Sequence, residues 1–247
     1  MSRPVLWALV LSMIFAAMPA TARSAAQPPE LKCQAAKLTA IRKRDSCRVS
    51  ARTNELVGKP ADLEKCAASF TKAVGAADAS AAKAATSCRW LENGDGTATD
   101  LNSGLQWELK GIGPVLRDAG WTMTWGNGGA NGTAFTVFLA DLNAGRSFDG
   151  ITTSRGCLGG KCDWRLPTVE ELRGILSAQY PDCPVGRACT TIPGDAVSFL
   201  VNPGAYWTSS AYDGDSSQAW TVSFNDGFVR YEPKVSSRQV RAVRGES

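Results

Sequence analysis

Hydrophobic positions along the chain fall into three regimes. Val5 to about Ala17 is an almost unbroken apolar run. From Lys32 to Cys88 the sequence is rich in Ala and sparse in large apolar side chains. Lys32 to Glu55 contains neither Gly nor Pro, Gly58-Lys59-Pro60 reads as a turn, and Asp62 stands where a second helix can start. The pattern predicts a helical hairpin. Its expected apolar positions are Leu31, Leu38, Ile41, Leu56, Leu63, Phe70 and Val74, a thin core for a segment of that length.

Beyond Leu91 the pattern changes to short alternating runs with two helical stripes between them. Phe135, Phe138, Leu139 and Leu142 follow the i, i+3, i+4, i+7 spacing of a helix face and are preceded by the Gly/Asn-rich stretch Gly126 to Gly132. Trp220, Val222 and Phe224 alternate with Thr221 and Ser223. Asn225-Asp226-Gly227 then turns the chain into Phe228 to Glu232, a β-hairpin whose apolar face is expected to include Trp220. Gln239 to Arg244 is the expected closing strand, with Val240 and Val243 beside that hairpin. No solenoid period is visible.

The run Cys162-Asp163-Trp164-Arg165-Leu166-Pro167-Thr168-Val169-Glu170-Glu171-Leu172 compresses a strand end, a turn and a helix start. Pro167 cannot continue a ladder, Thr168 is a good N-cap, and Glu171 stands where it completes a capping box. The helix is expected from Val169, with Leu172, Ile175 and Leu176 on its buried face. Trp164, Trp207 and Trp220 are expected in the core, and Arg165 as a buried, paired arginine.

These residues belong to an ordered set of blocks. They are Asn93-Gly94-Asp95-Gly96-Thr97-Ala98-Thr99-Asp100, Ser103-Gly104-Leu105-Gln106-Trp107, Trp164-Arg165-Leu166-Pro167-Thr168, Tyr206-Trp207-Thr208-Ser209-Ser210, Ala219-Trp220-Thr221-Val222-Ser223-Phe224 and Val240-Arg241-Ala242-Val243-Arg244. In this order they resemble the Lcl C-terminal domain family over residues 91–247, a secreted bacterial domain found at the end of a collagen-like adhesin. The Arg-Leu-Pro-Thr run and the final Val-Arg strand are also similar to the formylglycine-generating-enzyme branch of the C-type-lectin-like folds. The resemblance implies an α+β, C-type-lectin-like domain with two helices and twisted antiparallel strands. It also implies adhesion at a surface, to anionic or sulfated glycans among other partners. Many relatives carry a cysteine in the last strand, where this chain has Ala242.

Arg3, the apolar run and Ala20-Thr21-Ala22 have the layout of a secretory signal peptide over residues 1–22. The division expected is therefore a signal peptide at 1–22, a helical hairpin at 23–90 and the family domain at 91–247. The run is too short for a confident membrane span, and no other segment is apolar enough, so the mature chain is expected to be soluble and periplasmic or extracellular. With export, the eight cysteines read as disulfides, buried free thiols being the competing reading. Cys33 and Cys47 lie on one helix face, as do Cys66 and Cys88. An antiparallel hairpin favours the nested pairs Cys33–Cys88 and Cys47–Cys66 among three possible connectivities. Cys157–Cys162 and Cys183–Cys189 are expected as local bridges around Gly-containing loops. A metal site is the alternative for the first four cysteines, but no zinc-site spacing is met.

The net charge of +4 conceals a split. Residues 23–90 carry thirteen Lys/Arg against six Asp/Glu, and residues from 91 onward carry thirteen against seventeen. Such asymmetry steers anionic partners, or it is simply a solvated helix face. Arg42-Lys43-Arg44 with Arg48 and Arg52 is the expected electrostatic footprint, positions 44, 48 and 52 sharing a face. Trp121, Trp125 and Tyr212 are the candidate exposed rings for stacking on sugar. Nucleic acid is not an expected partner of an exported chain. The expected partners are a glycan or a cell-surface protein.

Chemistry narrows the function further. The absence of histidine removes His-based hydrolytic triads. Close cysteine pairs do not suit a formylglycine-type enzyme, and no spacing singles out an acid/base carboxylate pair for glycoside cleavage. Glu92-Asn93-Gly94-Asp95-Gly96 fails the EF-hand register and reads as a turn. Asp213, Asp215 and Asp226 are oxygen-bearing turn residues that would serve a looser calcium site. The expectation is a non-catalytic binding or adhesion protein without a cofactor. The alternatives are a protein-binding assembly module and, more distantly, a formylglycine-generating-enzyme-like or glycan-cleaving enzyme.

Overall fold

The computed structural model describes residues 27–111, 117–146, 156–177, 189–193 and 203–246; the expected signal peptide and Cys183 lie outside them. The architecture is α+β: a helical hairpin, then two sheets with short helices. Helix α1 runs Pro29–Leu56, with Pro at its first position, where the missing N–H costs nothing. Helix α2 runs Leu63–Lys83, and the Asp62 side chain caps it by accepting from the Lys65 N–H at 2.8 Å. Disulfides join Cys33 to Cys88 and Cys47 to Cys66, at sequence separations of 55 and 19. Closing loops of this size stabilises the folded state by on the order of 3–4 kcal/mol per bridge.

The hairpin seam differs from the expected one. The buried positions of α1 are Cys33, Lys37, Ala40, Arg44 and Ala51, and those of α2 are Cys66, Val74, Ala77 and Ala81. With half-buried Cys47 between them, the α1 positions step by four and three residues, a heptad seam built from small residues and two cations. Leu31 and Leu56, expected inside, fall off this 3-4 track and are exposed. Leu63 is exposed in the first turn of α2. Small seam residues draw the helices together through Cys and Ala, leaving the longer leucines outside.

Both buried cations draw partners from outside α1. The Lys37 ammonium donates to the Asn102 side-chain oxygen and pairs with Asp78 of α2. The Arg44 guanidinium donates to the Ser103 carbonyl, pairs with Asp45 and lies 4.7 Å over the Phe70 ring. Gly104 makes this approach possible: it has φ +78°, and a Cβ there would stand 2.6 Å from an Arg44 nitrogen.

One sheet has the order β1-β2-β3-β9, with β1 Trp90–Glu92, β2 Thr97–Asp100, β3 Gln106–Glu108 and β9 Val243–Arg244, all antiparallel. The other has the order β4-β8-β5-β6-β7, with β4 Thr122–Thr124, β5 Ala205–Ala211, β6 Gln218–Ser223, β7 Val229–Pro233 and β8 Ser237–Gln239. Its pairs are antiparallel except β5 with β8. The segment expected as one closing strand beside the β6–β7 hairpin instead divides between the sheets. β8 pairs with β4 and β5, and β9 with β3. Val240 packs in one core cluster with Trp125, Phe138, Trp164 and Trp207, and Val243 in the other with Trp107, Leu172, Tyr206 and Phe224. Crossing between layers lets four residues serve both cores.

The first helical stripe is covered in full, while the second helix ends before Ile175 and Leu176. Ala134–Leu139 is a π-helical turn that runs into α3, Ala140–Ala144. Helix α4, Val169–Gly174, starts at a complete Thr168/Glu171 capping box. Glu171 also accepts two hydrogen bonds from Arg165 at 2.7 and 2.8 Å, so the arginine is paired but only half buried. Its pKa is raised, chiefly by that hydrogen bond to Glu171. The Cys157–Cys162 bridge closes the loop before Trp164, whose indole N–H donates to the Leu158 carbonyl at 2.9 Å. Cys189 is buried and disulfide-bonded.

Trp164 and Trp207 are core residues, and Trp220 is not. Trp207 is fully enclosed and donates to the Met123 carbonyl at 2.7 Å. Trp220 is half buried, because β6 is covered on both faces only from Thr221 onward and its tryptophan meets tyrosines rather than the core. Trp207→Ala should therefore cost about 3–5 kcal/mol in denaturant unfolding, while Trp220→Ala should cost about 1–2 kcal/mol. Lys37→Ala should cost about 1–3 kcal/mol, because the Asn102 side chain loses its donor while Asp78 stays hydrated. Lys37→Met should recover part of that loss in the same measurement.

Candidate functional site

The β6–β7 hairpin carries an aromatic face on its outer end. Its register places Trp220 opposite Tyr231. The loop from β5 to β6 brings Tyr212 onto Tyr231, with ring centroids 4.3 Å apart and planes 4° from parallel. Trp220 meets Tyr212 edge-on at 5.1 Å and Tyr231 at 5.7 Å. Tyr231 is 49% exposed. Gly214 lies against the Tyr212 ring, where a Cβ would come within 2.6 Å of the ring and its hydroxyl. The loop itself is fastened: Asp215 accepts from Ser217 and Gln218, and the Tyr212 N–H donates to the Gln218 carbonyl at 3.0 Å. The rings are thus held before any ligand arrives, which lowers the ordering cost of binding. Tyrosine and tryptophan suit such a surface, since each offers an apolar plate and a polar tip.

Of the candidate rings, only Tyr212 belongs to this face. Trp125 is buried: its indole N–H donates to the Thr208 carbonyl at 2.8 Å, Phe135 packs edge-on against it at 5.1 Å and Lys234 lies over it at 4.5 Å. Burial removes it as a stacking platform. The Gly-rich stretch that follows folds back on it, the Gly132 N–H donating to the Trp125 carbonyl. Trp121 is half buried and packs against the same core cluster. Trp220 and Tyr231 were not among the candidates. The Asn225-Asp226-Gly227 turn, which sets 220 opposite 231, was the signal that could have found them.

The three candidate arginines of α1 are brought together and largely engaged within the protein. Arg44 is buried, so it cannot act as an exposed footprint; its guanidinium is spent on Ser103, Asp45 and Phe70. Arg48 donates to the Glu246 carbonyl oxygen at 3.1 Å, and Arg52 pairs with the Glu246 carboxylate at 3.0 and 3.1 Å. A second buried charge group links β3 to the chain's end. Lys110 pairs with Glu108 at 3.0 Å and lies 4.8 Å from the Phe138 ring centroid, with Arg241 completing the group. Burial pushes the Lys110 pKa down, Glu108 partly opposing it. Glu108 also accepts from the Ala242 N–H, so the group is built into the packing between strands.

Two of the three candidate calcium carboxylates, Asp215 and Asp226, are committed to their own turns, and Asp213 is exposed. Hydrogen bonds from Gln218 and Ser217 hold Asp215 at a pKa of about 2, and Arg230 holds Asp226 at about 2. Among the described residues the one close acid/thiol group is Cys33, Asp78 and Cys88, whose sulfurs are joined in a disulfide and so do not offer thiolates to a metal. The lowered Asp226 value implies a stability contribution that is present above its ordinary value of 3.8 and lost as pH falls through about 2. A carboxyl 13C NMR titration should give that low midpoint for Asp226, and Arg230→Ala should return it toward 3.8.

Comparison with known sequences adds the family. The Lcl C-terminal domain model matches residues 96–244, from the turn before β2 to the end of β9. The match thus takes in β2, β3 and β9 of the first sheet but not its edge strand β1, together with the whole aromatic face. A search of curated proteins finds no match. The matched stretch is more than half of the chain, a match that suggests a cell-surface, adhesin-like module, and the chain belongs to the Lcl C-terminal domain family.

Proposed function

We propose that this is an exported, non-catalytic binding protein, periplasmic or at the cell surface, whose C-type-lectin-like family domain holds a glycan against the Tyr212–Trp220–Tyr231 face. The single observation that supports it best is the stacked pair of Tyr212 and Tyr231, the first held by its fastened loop and the second by the β6–β7 register, with Tyr231 open to solvent. The C–H face of a pyranose ring is apolar while its rim is hydroxylated, which suits a tyrosine plate with a polar tip. The disulfides are consistent with an oxidising compartment. No helix among the described residues is long and apolar enough to cross a membrane. In this reading residues 23–90 form a separate unit that presents the family domain at 91–247, and acidic glycans are the preferred ligands because the front segment is basic.

A second reading, a protein-binding assembly module, is favoured by one feature. The hairpin tip exposes Leu56 at 88%, with Val57 and Val49 also open to solvent. Exposed apolar side chains of this size suit contact with another protein.

A glycan array probed with the protein lacking residues 1–22 tests the first reading. Tyr231→Ala and Tyr212→Ala should each weaken binding to the selected glycan about tenfold, taking stacking at roughly 1–1.5 kcal/mol, with unchanged denaturation midpoints. Binding that survives both substitutions would remove the aromatic face from the proposal. No bound glycan, together with capture of a defined protein that Leu56→Ser abolishes, would favour the assembly reading.

A further inference from the structure

Between α1 and the end of the chain lies a groove of about 360 Å³, with Arg44, Arg48, Arg52, Arg244 and Glu246 among its lining residues. Its walls are unequal in freedom. Arg44 is locked by Ser103 and Asp45, and Arg244 by two hydrogen bonds to Asp163 at 2.6 and 3.0 Å and one to Gln106. Those two arginines cannot turn toward a newcomer. Arg52 is 58% exposed, and the carboxylate it holds belongs to Glu246, 63% exposed and next to the last residue. Arg48 stands one helical turn away, about 6 Å along the axis, its nitrogen 4.0 Å from the same carboxylate.

We propose that this groove is a binding site for the acid groups, carboxylate or sulfate, of an acidic polysaccharide, and that Glu246 is an intramolecular stand-in that such a group displaces. The identification of the polysaccharide as the bearer of the acid group rests on the glycan-binding reading above. The chemistry of the groove does not: it already holds a carboxylate. One terminal nitrogen of Arg52 donates to both oxygens of Glu246, which leaves the rest of the guanidinium fork open to a better-placed carboxylate or sulfate. An exposed pair of this kind is worth about 0.2–1 kcal/mol, so the stand-in is weakly held. Once Glu246 swings out, Asp45 is the remaining carboxylate lining the groove and it is bound by Arg44. A chain with acid groups spaced a few ångströms apart can then engage Arg48 and Arg52 together, which a single glutamate side chain does only in part. The front segment supplies the site's cations and the family domain supplies its plug, so neither part contains the site alone.

Titration of the protein lacking residues 1–22 with dextran sulfate, and with uncharged dextran as control, tests this at two salt concentrations. Glu246→Gln should tighten dextran sulfate binding about two- to fivefold, the equivalent of the pair it removes, and steepen the salt dependence. Arg48→Gln/Arg52→Gln should weaken binding at least as much, and adding Glu246→Gln to that double variant should give no gain. Thermal midpoints measured for each variant keep the comparison one of binding, since Arg52 and Glu246 are exposed while Arg48 is partly buried. Unchanged or weaker binding by Glu246→Gln, or parental binding by the double arginine variant, overturns the proposal. So does the absence of dextran sulfate binding in every form. Tyr212→Ala and Tyr231→Ala in the same titration separate the two sites: parental affinity with those variants leaves the groove standing and the aromatic face without a role in this ligand.

Discussion

The arrangement of this protein depends on two cations that have been taken out of water. Lys37 and Arg44 lie in the α1 seam, and burying either without partners would cost several kcal/mol. Their partners are divided between α2 and the turn that joins β2 to β3. Asp78 and Phe70 come from the first, Asn102 and the Ser103 carbonyl from the second. The observed placement of the hairpin against the sheet satisfies both cations at once. Apolar residues at these positions would have glued the helices as well, but they would not have selected a rotation or a register. Gly104 completes the constraint, because a side chain there would occupy the space of the Arg44 guanidinium.

That placement orients the rest of α1. With 37 and 44 turned inward, 48 and 52 follow along the edge of the same face and meet the chain's last residues. Arg89, just before β1, pairs with Asp100 at 3.0 Å and donates to the Gly174 carbonyl at the end of α4. The basic front and the acidic remainder are thus in part complementary surfaces of one molecule. A charge split in the sequence is the same whether the opposite charges face each other or a distant partner. Only the geometry distinguishes them, and here the more deeply buried members of the basic face are committed internally.

The sequence was most legible where local chemistry and tertiary structure agree. The Thr168/Glu171 capping box, the Asp62 cap, the helical hairpin and the β6–β7 hairpin all follow from residues within a few positions of one another. It was least legible where a face is defined by what covers it. Trp220 and Trp207 both occupy alternating strand patterns, yet one lies beneath two layers and the other beneath two tyrosines. Trp125 looked like a loop residue because glycines follow it, but those glycines let the chain fold back over its ring. The heptad seam is hidden from a hydrophobicity pattern because Lys37 and Arg44 occupy two of its positions.

The same reasoning bears on how the two candidate surfaces divide the work of recognition. The Tyr212–Trp220–Tyr231 face sits within the stretch matched by the family and is held by the β6–β7 register and the fastened β5–β6 loop, so it needs nothing from the helical hairpin. The arginine groove exists only because α1 is docked, and Asn102 and Ser103 help to dock it by accepting from Lys37 and Arg44. Stacking is insensitive to salt, whereas attraction between exposed charges is screened within about 8 Å at physiological ionic strength. A ligand using both surfaces would lose only the groove's share of its affinity as salt rises. That residual affinity measures the aromatic face in the intact molecule, where the charge split of the whole chain would otherwise obscure it.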